Sequence, residues 1–483
     1  MIFSSVIFLF LFLPLCLALY FLAPKKGRNL FLLFASLIFY AWGEGLYVLL
    51  LLISIFINYS SGMLIDHHRG SSGSRVYLAI AIVLNLSLLA FFKYANFVVT
   101  NLNAILPIFG AGHFSLTRIH LPVGISFFTF QALSYVVDVY RQKFTAQKNI
   151  INFGAYLSLF PQLVAGPIVR YAQIAKEIVS RSTSRTDFAE GGRQFLFGLA
   201  KKMLIANSVA RVADQLFSLP AGDLTTGLAW LGAICYTLQI YFDFSGYSDM
   251  AIGLARIFGF HYPENFNYPY ISRSIREFWR RWHISLSTWF RDYLYLPLGG
   301  NRQTPTRTYL NLVTVFLLCG LWHGASWNFV IWGLFHGLFL AAERTFLGRG
   351  LNALPRPVQH IYTLLIVVVG WVLFRTQSMA HAVSYLSAMS GFAQGTGVKY
   401  NVAMFLSDKL KLEMGIAILF SAPVYPAIKR MEASILERGP MKVRTPLNVV
   451  FSLFGFVLIT AIVYASIISL AASAYNPFIY SGF

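Results

Sequence analysis

Charge is scarce in this 483-residue chain. Asp, Glu, Lys and Arg make up 12% of it, half the roughly 25% of an ordinary soluble domain, and a water-soluble globular protein is thereby excluded. Acidic residues are the scarcest, with 18 against 38 basic ones and a net charge of +20. The basic residues fall in short loops between apolar runs. Positive-inside topology and contact with anionic membrane lipid account for most of that excess, so no nucleic-acid partner is expected. The three cysteines, Cys16, Cys235 and Cys319, all lie inside apolar segments, which speaks against a disulfide framework and reads as three small buried hydrophobes. No two histidines have the spacing of a zinc-binding helix, so no metal is expected. The chain lacks an internal repeat, a linker or a low-complexity stretch; this counts against an inverted-repeat transporter and for a single membrane-embedded domain over residues 1–483. No basic residue precedes the first apolar run, and Lys25, Lys26 and Arg28 follow it, the pattern of a retained helix with its N-terminus outside.

What the chain has in abundance is apolar length. It is 57% hydrophobic with 45 Phe and 26 Tyr, and its mean hydropathy is +0.63. A helical span takes about 20 apolar residues. On that measure the fold is all-α with about 11 transmembrane helices, at 4–24, 29–43, 46–64, 76–98, 122–140, 226–242, 308–322, 326–343, 361–375, 412–428 and 447–472. The stretches 152–168, 194–218 and 247–260 are interrupted by Gly, Pro or charge and read as re-entrant or tilted pieces. With the N-terminus outside, the basic loops Lys25/Lys26/Arg28, Arg69/Arg75, Arg141/Lys143/Lys148 and Lys429/Arg430/Arg438/Lys442/Arg444 become cytoplasmic.

Against this background the polar residues inside apolar runs carry the information. Trp322-His323-Gly324-Ala325-Ser326-Trp327-Asn328 puts a histidine at membrane depth, where an ionisable group is a functional candidate by default, and imidazole titrates near neutrality. The alternative is a packed histidine bonded to a backbone carbonyl. His336 lies 13 residues on, about 220° away on one ideal helix; a hairpin broken at Gly324–Asn328 would bring the two rings to one cavity. Tyr241–Asp249 holds two carboxylates, Asp243 and Asp249, a pair that could do acid/base work; Gly246 between them favours instead a helix break which the carboxylates cap. Phe160–Arg170, with two prolines and a glycine, reads as a re-entrant turn. Asp138 is expected to pair with Arg141. The cytoplasmic segment 263–307 interleaves Arg273, Arg276, Arg280, Arg281 and Arg291 with Trp and Phe. In one helix Arg276, Arg280 and His283 would share a face. That is either an amphipathic interfacial helix with snorkelling arginines or a mouth that gathers phosphates.

These motifs together resemble the membrane-bound O-acyltransferase (MBOAT) family. The matching elements are Met1–Ser5, Phe160–Arg170, Asp243–Asp249, Arg276–Leu286, Pro297–Arg302 and Trp322–Asn328, spread over nearly the whole chain, and within the family they are most similar to the bacterial polysaccharide branch. The resemblance implies transmembrane helices around a central funnel or tunnel, with the family's intramembrane histidine at His323 and its second polar position at His283. It implies a cytosolic thioester donor such as acetyl-CoA, held by Arg273, Arg276, Arg280, Arg281, Arg291 and Arg302, with no permanently bound cofactor. Acetyl would cross the bacterial inner membrane for O-acetylation of an exopolysaccharide such as alginate, with a periplasmic partner of the SGNH-hydrolase type. His323 is then the expected general base. Ser326, Trp327 or Asn328 are expected oxyanion donors, and Asp243, Asp249 and His336 tunnel lining. The readings left open are a transporter or flippase for a lipid-linked sugar and acyl or D-alanyl transfer to another envelope acceptor.

Overall fold

The computed structural model describes residues 2–438, 441–472 and 475–477; the side chains of Arg438, Lys442 and Arg444, three of the basic loop residues above, lie outside that description. The described chain is helical throughout, with no strand. Four stretches are long and apolar enough to cross a membrane: Lys25–His67, Ser72–Phe109, Arg356–Arg375 and Thr445–Ala472. Up to six qualify if the bent pairs Trp327–Ala342 with Phe346–Ala353 (72°) and Asp408–Phe420 with Val424–Glu437 (63°) each count as one span. The first stretch is interrupted at Gly45, where φ is +57°, between the spans read at 29–43 and 46–64. Large apolar side chains such as Phe34, Phe56, Val83, Phe91 and Phe454 face outward, the inversion of a soluble surface that lipid allows.

Thr226–Ile257 is a single 32-residue helix with buried residues on every face. It sits at the centre, screened by its neighbours, so it can carry Gln239, Asp243, Ser245 and Ser248 in its interior. Gly246 does not break it, contrary to the sequence reading. The residue serves close approach instead: a Cβ there would lie 2.8 Å from the Gly198 carbonyl, and a Cβ at Gly198 would lie 2.5 Å from that of Gly246. Gly253 and Gly191 repeat the contact at 2.5 and 2.6 Å, so Arg185–Ala200 and the central helix meet backbone to backbone. Asp243 and Asp249 are therefore not helix caps. They pair with adjacent lysines on the π-helical turn Lys201–Ala206: Lys202 with Asp243 at 2.7 Å and Lys201 with Asp249 at 2.6 Å.

Phe160–Arg170 is interrupted as expected. The helix Ile150–Ser158 stops at Leu159, a short turn of helix follows at Phe160–Leu163, and the chain runs extended to Arg170. This irregular backbone is buried in protein, the setting in which it is tolerated at membrane depth. Asp138 pairs with Lys143 (2.9 Å) rather than Arg141, and accepts a hydrogen bond from the Tyr293 hydroxyl (2.7 Å); the turn after Tyr140 swings Lys143 back over it.

Distant parts of the chain are stitched together near the π-helical turn. Asn476 donates to the Ser4 carbonyl (2.7 Å) and accepts from Asn207 (3.3 Å). The Pro477 carbonyl accepts from Lys202, and the Tyr475 hydroxyl donates to Asp214.

Another pair of helices, Pro305–His323 and Trp327–Ala342, forms an antiparallel hairpin. A Cβ at Gly320 would lie 2.2 Å from the Phe329 carbonyl, and one at Gly333 would lie 2.3 Å from that of Phe316. Small residues four apart, Gly320/Gly324 and Gly333/Gly337, are the usual means by which membrane helices approach this closely. Gly333→Val should force the two backbones apart. Overpacking of this kind costs about 1–3 kcal/mol and should lower the thermal unfolding midpoint and monodisperse yield in detergent. Gly415→Ala, where an added Cβ meets nothing within 4 Å, should leave both unchanged.

Candidate active site

The hairpin determines where its histidines go. Pro305–His323 ends because Gly324 is extended (φ −170°, ψ 155°), and Ser326 starts the return helix. His323 thus sits at a helix terminus deep in the protein, 3% exposed, with its ring 5.0 Å from Trp322, 5.0 Å from Trp332 and 5.3 Å from Phe374. His336, 1% exposed, lies 5.1 Å from the same Trp332 and 5.1 Å from Trp279. The hairpin therefore gathers both imidazoles around one indole, as the interrupted backbone at Gly324–Asn328 suggested.

His283 reaches the same cluster by another route. The helix Ile275–Arg281 stops before it, and a second short helix, Ile284–Phe290, follows. His283 between them takes φ +43°, ψ 55°, the left-handed region, which is rare for a residue with a Cβ. It is consequently not on a shared face with Arg276 and Arg280; the periodic reading fails because the helix ends. The turn drives the imidazole inward, fully buried, 4.7 Å from Phe244 and 6.3 Å from Trp322.

Asn265 fixes its protonation pattern. The Asn265 Oδ1 accepts from the backbone N–H of Ser285 (3.1 Å) and its hydroxyl (2.9 Å), so that atom is an acceptor; His283 Nδ1 lies 3.2 Å from it and must donate. The Asn265 amide nitrogen donates to Ser248 (3.1 Å) on the central helix. A neutral imidazole donating from Nδ1 has its lone pair on Nε2, and that atom is buried with no hydrogen-bond partner among the described residues. The same holds for His336 Nδ1 and for the indole N–H groups of Trp279, Trp322 and Trp332. Each such atom costs about 1–3 kcal/mol unless something polar meets it. Their concentration around three imidazoles is what a site for a polar guest requires.

Lys93 stands beside this cluster. It is 5% exposed in the membrane helix Ser72–Ile105 and donates to Ser126 Oγ (3.0 Å) and to the Trp322 carbonyl. Both acceptors are neutral. An ammonium held at such depth costs about 2.5–3.5 kcal/mol or more. The neighbouring Tyr94 hydroxyl donates to the Leu321 carbonyl (2.6 Å).

The remaining sequence candidates divide. Asp243 is buried against Lys202, and Asp249 faces an open groove of about 1810 Å³ that reaches Asn265. The two amide hydrogens of Asn328 go to Thr376 (2.8 and 3.0 Å), and Trp327 is 56% exposed with its indole on Asn101. Neither is free to face the imidazoles, while Ser326 caps the return helix without a side-chain bond. Of the arginines, Arg273 and Arg281 pair with Glu277, Arg291 with Asp292, and Arg276 with the Glu343 carbonyl; Arg280 and Arg302 are exposed. Arg170 also pairs with Asp292 (2.7 Å). Burial works to raise the Asp292 carboxyl, but hydrogen bonds and charge from Arg291 and Arg170 outweigh it and hold it below its usual range. Glu343, buried, accepts from the N–H groups of Ile275 and Arg276 and so anchors the helix that leads to His283. Lys93, Asn265, Glu343 and Lys202 were not singled out from sequence. Only Lys93 carried a signal there, as the one charge inside the run 76–98; the others act through contacts with no local pattern.

Comparison with known proteins meets this geometry from outside. The model of the MBOAT, membrane-bound O-acyltransferase, family matches residues 77–380. The chain is 43% identical, over the full length of both, to a probable alginate O-acetylase from Azotobacter vinelandii. It is 49% identical to one from Pseudomonas aeruginosa, over 81% of this chain and 75% of that protein. A peptidoglycan O-acetyltransferase from Helicobacter pylori is 36% identical over 81% of this chain and 80% of its own. The family match takes in Lys93, His283, His323 and His336 alike, and the chain belongs to the membrane-bound O-acyltransferase family as a membrane-embedded acyltransferase.

Proposed function

We propose that this enzyme moves an acetyl group from a cytosolic thioester, acetyl-CoA, across the inner membrane for O-acetylation of an exopolysaccharide such as alginate. The observation that carries the reading is the burial of His323, at the turn of the helical hairpin, and of His283 against one indole, Trp322. In this reading about eleven spans, with the N-terminus outside, surround a funnel that opens to both faces. The donor phosphates meet arginines at the cytoplasmic mouth, where exposed Arg280 and Arg302 are the best placed. The acceptor is the polymer or a serine of a periplasmic SGNH-type partner. A tunnel lets the two-carbon group pass while polyanionic CoA stays in the cytosol.

The chemistry is acyl transfer. The acceptor hydroxyl oxygen bonds to the thioester carbonyl carbon and the C–S bond breaks. The hydroxyl proton passes to neutral His323 and from there to the departing thiolate. His283, with an acceptor nitrogen turned to the same aromatic cluster, is the second imidazole available to hold acceptor or proton. The likeness to a peptidoglycan O-acetyltransferase supports a second reading, with peptidoglycan as acceptor, and the higher identities to alginate O-acetylases favour the first.

His323→Ala should cut polymer acetylation by about 10²–10⁴-fold at unchanged membrane level, read as ester content of the isolated polymer by NMR. Undiminished ester in that variant would remove the general-base role; ester on peptidoglycan alone would select the second acceptor. Asn265→Ala should release the His283 ring and leave buried donors unsatisfied, at about 1–3 kcal/mol, with turnover falling more than donor affinity. Arg280→Ala with Arg302→Ala should raise the KM for acetyl-CoA and spare kcat; an unchanged KM would assign these arginines to lipid.

A further inference from the structure

We propose that Lys93 is a positioning residue for His323, a role that rests on reading His323 as the proton acceptor. The last turn of a helix leaves carbonyls with no partner inside the helix. In Pro305–His323 the Gly320 carbonyl is taken by the N–H of Gly324 (3.2 Å), and the carbonyls of Leu321 and Trp322 are then taken by consecutive residues of one other helix, Tyr94 and Lys93. A cation at a helix C-terminus also meets the negative end of its dipole. The grip is double, because the same ammonium lies 5.6 Å from the centre of the Trp322 ring, within cation–π range. That ring packs against both imidazoles, 5.0 Å from His323 and 6.3 Å from His283, and is backed by Phe127 and Phe130 at 5.3 Å each.

Lys93 thus holds the backbone of the residue before His323 and the ring that packs against both His323 and His283. Ser126, its other partner, is on Ile125–Tyr140, the helix that also supplies Phe127 and Phe130, so three helices are tied at one nitrogen. A neutral side chain of similar length would fill the space and leave the Trp322 carbonyl unbonded at membrane depth. The end of the hairpin would then be free to turn, and small displacements of a reacting group carry large rate costs.

The test uses the full chain in lipid nanodiscs, with thiol release from acetyl-CoA followed in the presence of deacetylated alginate. Lys93→Met should fold, with wild-type yield and thermal midpoint, and lose about ten- to hundred-fold in kcat while its KM for acetyl-CoA stays within about two-fold. Lys93→Arg, which keeps donor and charge, should recover most of that loss. A wild-type kcat in Lys93→Met overturns the proposal. So does a variant whose yield, midpoint and KM all fall with kcat and which arginine does not rescue, since that is the mark of a scaffold residue. If Lys93→Met gives no folded protein, Tyr94→Phe decides: a lower kcat at unchanged KM supports the clamp, and wild-type kinetics overturn it. His323→Ala runs in parallel. If it retains transfer, the functional reading itself fails; if it is inactive while Lys93→Met is normal, the clamp alone fails.

Discussion

Two helix backbones lying in contact at Gly320 and Gly333 set the geometry of the centre of this protein. Lipid tails give apolar helices little reason to associate, so packing and hydrogen bonds must hold them. The absence of side chains at the seam lets Pro305–His323 and Trp327–Ala342 close, and large rings stand at its margins: Trp322 and Trp332 from the hairpin and Phe374 from Arg356–Arg375. Those rings make the cage in which His323 sits. The seam at Gly198 and Gly246 does the same for the central helix, holding it near enough to the π-helical turn for Lys202 to reach Asp243.

Around this frame, polar groups are placed by partners from distant parts of the chain. Asn265 sets which nitrogen of His283 carries the proton, and Ser248 on the central helix holds Asn265. Glu343, from the far end of the hairpin, holds the start of the helix before His283. The hairpin that carries His323 and His336 is therefore also coupled to His283. Such networks give a rigid arrangement, and in a low-dielectric interior each bond in them is worth more than in water.

Much of this was legible in the sequence and some was not, for physical reasons. The helical class, the break between His323 and Trp327 and the burial of the histidines follow from composition and from where Gly, Ser and Asn interrupt apolar runs. Lys93 was not singled out, although it is the one charge inside the run 76–98. The grouping of Arg276, Arg280 and His283 assumed that a period of 3.6 continues, and nothing local announces that the helix stops at Arg281. Gly246 looked like a break because a glycine that breaks a helix and one that admits a neighbouring backbone are the same letter. Asp243 and Asp249 looked like caps because their lysines come more than 40 residues earlier. Pairings across the fold leave no mark on spacing.

The stitching of Ser4 to Asn476 spans 472 positions. At about 5–20 residues per second of synthesis, the amino-terminal half of that bond waits roughly half a minute to a minute and a half for the other. Asn207 waits across 269 positions for Asn476, and Lys202 across 275 for the Pro477 carbonyl. The newborn protein must therefore carry polar groups whose partners have not yet been made, and it closes on them only once the last span, Thr445–Ala472, has been synthesised.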